Sequence, residues 1–462
     1  MTRPSVKTLL DEATGSLREA TPEAARARRE TLEALSGRSF RAPHLLRRYH
    51  DLLCFLRAYP DDRRVLLAAD AELDRFGERI RAAGEDVAEA LLDSGIDGTP
   101  VGFEFTYEAA VKLVAAFPGE LEIDWDAWEE PEKLDELLVH LITHAEIQTF
   151  DEGEITTGEW VRMARGAFPG TDAEWLIREV EQTDLPHLAR KQLYDAAGVP
   201  LRWNLAGSAG SVTRCRIESA PVAYRAGSPR PAPAAPAAEI VRPVRRLRCV
   251  PSADGLRLIH QAVAAIGARH REVYAFNYGN PEEVWLADLS HGVRVLVIGV
   301  EPERRFNLEG NYGFVAYKNG VPVSYGGASP LFHQANTGVN VFPAYRAGGE
   351  AQFIFTQVLR TFRSLFGNTR FVVNPFQFGG DNPEAIASGA FWFYHKLGFV
   401  PVDAGIRALA NSELAKRRRR KGHRSDPRTL RKLAAGDLLL SLRGDRSEDA
   451  FPEAWLGRLA EG

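Results

Sequence analysis

The sequence predicts two unlike halves, a mostly α-helical N-terminal domain followed by an α/β domain. Three observations carry that expectation. Apolar residues recur at alternating three- and four-residue spacing up to about residue 195. A proline- and alanine-rich stretch, Ser228 to Ala238, then breaks the pattern. Beyond it come short apolar runs of strand length, two of them joined through Lys318-Asn319-Gly320.

A chain of 462 residues, 45% hydrophobic and 26% charged, has material for more than one core. The net charge of −4 gives no whole-chain case for nucleic acid or membrane. Cys54, Cys215 and Cys249 are widely spaced, which suggests neither a disulfide framework nor a zinc motif. No segment has signal-peptide character, and no run reaches the ~18 apolar residues of a membrane span. A reducing cytoplasm is the expected setting.

In the first half, Thr21-Pro22-Glu23 reads as an N-cap followed by proline at the first helical position. Leu45, Tyr49, Leu52 and Leu56 share one helix face. A further helix begins at Pro60-Asp61-Asp62, with Leu66, Ala69, Leu73, Phe76 and Ile80 inward. Glu132 to Ile147 reads as one more, burying Leu134, Leu138, Leu141 and Ala145. His140 and His144 on it are four apart, a spacing that can chelate a metal; no third ligand is evident, and edge histidines with ordinary partners are the plainer reading. This gives a helical domain over residues 1–198.

Residues 199–244 read as an irregular segment, strand-like at Val212 to Ile217, that ends in the Pro/Ala linker. The α/β domain follows over 245–408. Arg245 to Val250 alternates like a strand, Ala253 to Ala268 is helical, and Arg294 to Val300 is a buried strand run. Gly313–Tyr317 and Val321–Gly326 flank Asn319-Gly320, a pair that accepts positive φ at both turn positions and so predicts a hairpin. Next come a strand at Val339–Phe342, a small-residue turn Arg346-Ala347-Gly348-Gly349-Glu350-Ala351, and a helix with Ile354, Val358, Leu359, Phe362 and Phe366 inward. A strand over Arg370–Asn374 precedes a last helix, Ala390-Phe-Trp-Phe-Tyr394-His-Lys-Leu-Gly398-Phe399, that stops on glycine. The turn has the form of an anion site: a helix N-terminus exposes unpaired N–H groups, and small residues let a diphosphate approach.

Hairpin, then V-x-V-x-P-x-Y-R-x-x-G-x-A, then helix, strand and A-F-W-F-Y-H-K-L-G-F, resembles the GCN5-related N-acetyltransferase (GNAT) superfamily. The resemblance covers about 311–402, with extension back toward 245, and leaves out the N-terminal half. It implies a mixed, mostly antiparallel sheet with flanking helices, acetyl-CoA or another acyl-CoA as cosubstrate, and an amine as acceptor. The strand residues Val339, Val341 and Phe342 would pair with the pantetheine arm. Arg346, Ala347, Gly348, Gly349 and Ala351 would cradle the pyrophosphate, with Ser388 beside the arm. Tyr394 would protonate the leaving thiolate; a core aromatic among Phe391, Trp392 and Phe393 is the other reading.

Two departures from the family pattern stand out. Ala387 occupies the position, seven before the tyrosine, where asparagine is common, and Glu350 replaces an apolar residue in the turn. A carboxylate there would repel a diphosphate unless its side chain points away. A catalytically degenerate domain serving ligand sensing or protein interaction is therefore the alternative. His333 is the candidate general base, against a surface role, with Glu309, Asn336 and Asn374 as other polar candidates. The extension over 409–462 opens on the basic run Lys416 to Arg424 and continues as a helix from Ser425-Asp426-Pro427 through Leu430, Leu433, Leu438 and Leu440. The run suits nucleic-acid phosphates but lacks interleaved aromatics, so a solvated helix end is the expected role.

Overall fold

The computed structural model describes residues 4–143, 145–146, 148, 155–218, 221–225, 233, 235–306, 308–420 and 422–442. The N-terminal region is helical, as its periodicity requires. Helices α1 (Val6–Gly15), α2 (Pro22–Ser36), α3 (Pro43–Ala58), α4 (Arg63–Asp74) and α5 (Phe76–Ala83) pack together. Thr21 caps α2 by accepting from the Ala24 N–H, and Asp62 caps α4 by accepting from Val65. From Tyr49 to Ala58 every residue of α3 but Asp51 is buried, so this helix is surrounded on all sides rather than amphipathic.

Three local expectations are corrected. The segment from Glu132 is not one helix but a short 3-10 turn, Pro131–Leu134, running into Asp135–Leu138 and then turns; Leu134, Leu137 and Leu138 are still buried. His140 is exposed on those turns, and His144 lies outside the described residues. Residues 212–217 are turn and coil, while the strand of that region is β3 (Leu201–Asn204). It forms the centre of a small antiparallel sheet with β1 (Pro100–Phe103) and β2 (Leu121–Ile123). Its alternation is only four residues long, Leu201 and Trp203 in and Arg202 and Asn204 out, too short to stand out in sequence.

The C-terminal region is a nine-stranded mixed sheet. Its strands are β4 (Arg246–Cys249), β5 (Gly279–Asp288), β6 (Val293–Val300), β7 (Tyr312–Lys318), β8 (Val321–Leu331), β9 (Gln334–Val341), β10 (Arg370–Val373), β11 (Val400–Pro401) and β12 (Leu438–Ser441). Their order is β4-β5-β6-β7-β8-β9-β10-β12-β11, and every neighbouring pair is antiparallel except β9 with β10. Helix α6 (Ser252–Gly267) and helix α7 (Ala351–Phe366) pack on the sheet. The helix expected to run through Leu440 ends earlier. Helix α8 (Ala404–Arg419) and the short α9 (Pro427–Leu433) are followed by β12, which returns the extension to the sheet between β10 and β11. The consecutive run Leu438-Leu-Leu440 is buried on both faces, a pattern a short apolar stretch shares with helix.

One continuous apolar core joins the two regions, from Leu9 to Leu440. The hairpin tip is a joint within it. Asn319 and Gly320 take φ of 50° and 81°, the left-handed pair a two-residue hairpin loop needs. The Asn319 side-chain amide donates to the Ala58 carbonyl at the end of α3 (2.9 Å) and to the Ala223 carbonyl (3.0 Å). Its Oδ1 accepts from the Ala223 N–H at 2.9 Å.

Candidate functional site

The site is built where β9 and β10 part. The parallel pairing covers Gln334 to Asn336 against Arg370 to Val372 and then stops, while β9 stays paired to β8 as far as Val341. The Phe342 N–H donates to the Val323 carbonyl. By the alternation of an antiparallel ladder, the backbone groups of Val339 and Val341 therefore face away from β8, into the gap that β10 has left. Beyond the gap lie two helices, α10 (Pro383–Ser388) and α11 (Ala390–Lys396), hinged at Gly389 with φ of 68°.

Between strand edge and helices runs a slot of about 290 Å³, lined by Val339, Asn340, Val341, Ala351, Ser388 and Tyr394 among others. The Tyr394 ring is core, edge-on to Phe355, Phe378 and Phe399. Its hydroxyl meets the Val339 backbone N–H at the free strand edge. Burial pushes the phenol above the ordinary tyrosine value, with the Val339 N–H pulling the other way, so it stays neutral at neutral pH. The two roles open to this residue in sequence are thus compatible: the ring packs and the oxygen faces the slot.

Glu350 points away from the turn. It is 6% exposed, and its carboxylate lies 3.4 Å from Lys318 Nζ. Lys318 also donates to the His291 carbonyl (2.7 Å) and sits over the Tyr59 ring, 5.2 Å from its centroid. The carboxylate is thereby charge-matched inside the core, and Gly349, at φ 75°, turns the chain just before Glu350, the residue that directly precedes α7. Burial, then Glu350, push the Tyr59 phenol well above its usual value. The repulsion that the sequence suggested is absent by orientation.

Two further cavities share walls with the slot. On one side, past Ala351, Ser388 and Phe393, lies a basin of about 530 Å³ reached by Gly349, Lys396, Arg417 and Arg424. On the other, past Asn340, Val341, Arg346 and Glu384, lies a cleft of about 270 Å³ whose far wall is α3, through Arg47, His50, Asp51 and Cys54. His50 Nε2 is 2.9 Å from Thr213 Oγ1 and 3.5 Å from the Cys54 sulfur. Glu384 stands at the junction of slot and cleft, 3.1 Å from Arg346 and 4.0 Å from Arg271, and Arg271 donates to the Tyr325 hydroxyl.

Of the residues singled out in sequence, Val339, Val341, Arg346, Ala351, Ser388 and Tyr394 line the slot together. Gly349 lines the basin, and Ala347 and Gly348 lie on the 3-10 turn Pro343–Gly348. Three placements differ from expectation. Arg346 is at the cleft end of the slot, donating to the Val341 carbonyl at 3.0 Å, and is not on the basin wall. Phe342 faces the cleft, stacked on Tyr325 and under the Arg269 guanidinium, and its N–H is taken by β8. His333 is exposed in the β8–β9 turn, six residues or roughly 20 Å of extended chain from Val339, because the turn sits at the opposite end of β9. It is not among the residues lining any of the three cavities.

Sequence reasoning missed Glu384, Asn340 and the whole α3 wall. Asn340 was legible as the residue between two slot-facing valines. The α3 wall carries no motif, since its side chains are brought to β9 only by tertiary packing. Among the described residues no group of three or more His, Cys, Asp or Glu is placed to hold a metal ion, and no helix is long and apolar enough to cross a membrane. No family model, no curated protein and no solved structure matches this chain.

Proposed function

We propose that the chain is an acyl-CoA-dependent acyltransferase of GNAT type, transferring an acetyl or similar group to an amine. One observation carries the reading: a strand edge freed from its sheet, a helix-starting turn of small residues and a buried tyrosine hydroxyl converge on one slot that opens into a cavity at each end. The outward Val339 carbonyl and Val341 N–H, lying between the groups held by Tyr394 and Arg346, are the kind of edge that takes up the amide-bearing pantetheine arm as an added strand. The turn at Gly349 to Ala351 offers N–H groups to a diphosphate emerging from the slot. The inward carboxylate of Glu350 removes the main objection to that assignment.

In the reaction, the amine nitrogen in the cleft attacks the thioester carbonyl carbon, forming the C–N bond, and the C–S bond breaks. The departing thiolate takes the proton of Tyr394, whose phenol is held neutral by burial. Glu384, the carboxylate at the slot–cleft junction, receives the proton that the amine loses, directly or through water. The helical half supplies the acceptor wall, so the acceptor is chosen by α3.

The test is thiol release from acetyl-CoA in the presence of a panel of primary amines. Tyr394→Phe is expected to lower turnover by roughly 100-fold or more while leaving acetyl-CoA affinity within about threefold, because the lost group acts only on the leaving thiolate. Equal activity in wild type and variant removes the assigned role. Binding without release for any amine favours the sensing alternative.

A further inference from the structure

The basic run of the C-terminal extension has no role in the chemistry above, and the basin has cations without an assigned ligand. These two loose ends meet in space. Arg417, in the last turn of α8, and Arg424, just after that helix, reach the basin opposite Gly349 and Ala351, and Lys396 reaches it from the end of α11. Among the described residues none of the three is ion-paired.

The wall that holds them is built. Glu413 is 2% exposed and gathers Lys416 (2.7 Å), Ser425 (2.7 Å) and His423 (3.3 Å). Burial alone would raise its carboxyl, but these donors outweigh that and hold it below the usual range. Ser425 Oγ in turn accepts from Trp392 Nε1 at 3.2 Å, and the Arg417 guanidinium lies 4.5 Å from the Trp392 ring centroid. The segment after α8 is thus pinned to both α8 and α11. That places two arginines and a lysine around a volume of about 530 Å³, a size suited to a nucleotide.

We propose that this basin is the docking site of the nucleotide end of the cosubstrate, with Arg417, Arg424 and Lys396 as ligands of its 3′-phosphate. This rests on the acyl-CoA reading of the slot. The order of cavities fixes the assignment. An arm threaded along Val339 and Val341 leaves the slot past Ser388 and Ala351, so the diphosphate meets the turn first. The remaining phosphate of the nucleotide is the group that arrives at the far, cationic wall. Arg346, which sequence reasoning placed at the phosphates, is at the other end of the slot. The positive charge for that end comes instead from a segment some seventy residues later, brought back because β12 re-enters the sheet.

The experiment is calorimetric titration of full-length wild type and of Arg417→Ala/Arg424→Ala with CoA and with 3′-dephospho-CoA. Arg424 is exposed and Arg417 half-buried against Trp392, so thermal melting checks that the variant folds. Wild type is expected to bind CoA at least about tenfold tighter than dephospho-CoA, and the variant to lose that discrimination while keeping its affinity for dephospho-CoA. Equal affinity of wild type for the two ligands, or a loss in the variant that is the same for both, overturns the 3′-phosphate assignment and leaves the slot reading standing. Wild type that binds neither ligand at millimolar concentration overturns both. A variant that keeps both affinities but loses retention on single-stranded RNA overturns it in favour of a nucleic-acid role for the basic run.

Discussion

Replacing Lys318 by methionine tests the buried node on which the orientation of Glu350 depends. At 3.4 Å and an effective dielectric near 20, the pair attracts by about 5 kcal/mol, most of it offset by the desolvation of two ions that are 5% and 7% exposed. Removing the ammonium leaves the carboxylate with its desolvation and without the cation 3.4 Å away. The expected cost is about 3–5 kcal/mol, moderated by Arg225, a further cation whose charge it feels. Urea unfolding at pH 7, followed by circular dichroism, is expected to show Lys318→Met losing about 3–5 kcal/mol. Lys318→Met/Glu350→Gln should recover most of the loss, because the buried charge that lost its partner is then gone. A loss under about 1 kcal/mol, or no recovery in the double variant, would refute an inward, charge-matched Glu350.

Other consequences concern the joint and the slot. Asn319→Ala removes three side-chain hydrogen bonds of the hairpin tip, one to Ala58 and two to Ala223, and places alanine at positive φ, so a loss of about 2–4 kcal/mol is expected in the same unfolding assay. Because burial raises the Tyr394 phenol, the rate of thiol release should show no decline from its ionisation near pH 10, whereas an exposed phenol would titrate there. His333→Ala should leave turnover within about twofold, since the residue lies roughly 20 Å of strand from Val339; a drop beyond tenfold would restore it as a base.

Much of the architecture was legible in local signals, and what escaped was non-local. The Asn319-Gly320 turn, the Thr21 and Asp62 caps and the α7 apolar face are each written within a few residues, and each forms where its chemistry requires. Strand β12 escaped because three leucines in a row carry no period, and its pairing with β10 spans about seventy residues. The slot was partly legible: the alternation Val339, Val341 and the small-residue turn mark a strand edge and a helix start. Its extent was not. Whether Arg346 turns toward phosphate or toward the Val341 carbonyl, and whether Glu350 faces the turn or Lys318, depends on where neighbouring elements put their charges. The α3 wall was invisible for the same reason, being residues of an ordinary buried helix that become a pocket only against β9.

The central claim, that the slot between β9 and the helices after β10 takes an acyl-CoA arm, is tested most directly by titrating acetyl-CoA into wild type and Ser388→Trp. Ser388 lines both slot and basin, and an indole there would close the passage between them. Wild type is expected to bind saturably and one-to-one, with affinity lost by at least about 100-fold in a folded Ser388→Trp variant. Absence of binding by wild type at millimolar acetyl-CoA, or binding that Ser388→Trp leaves intact, would contradict it.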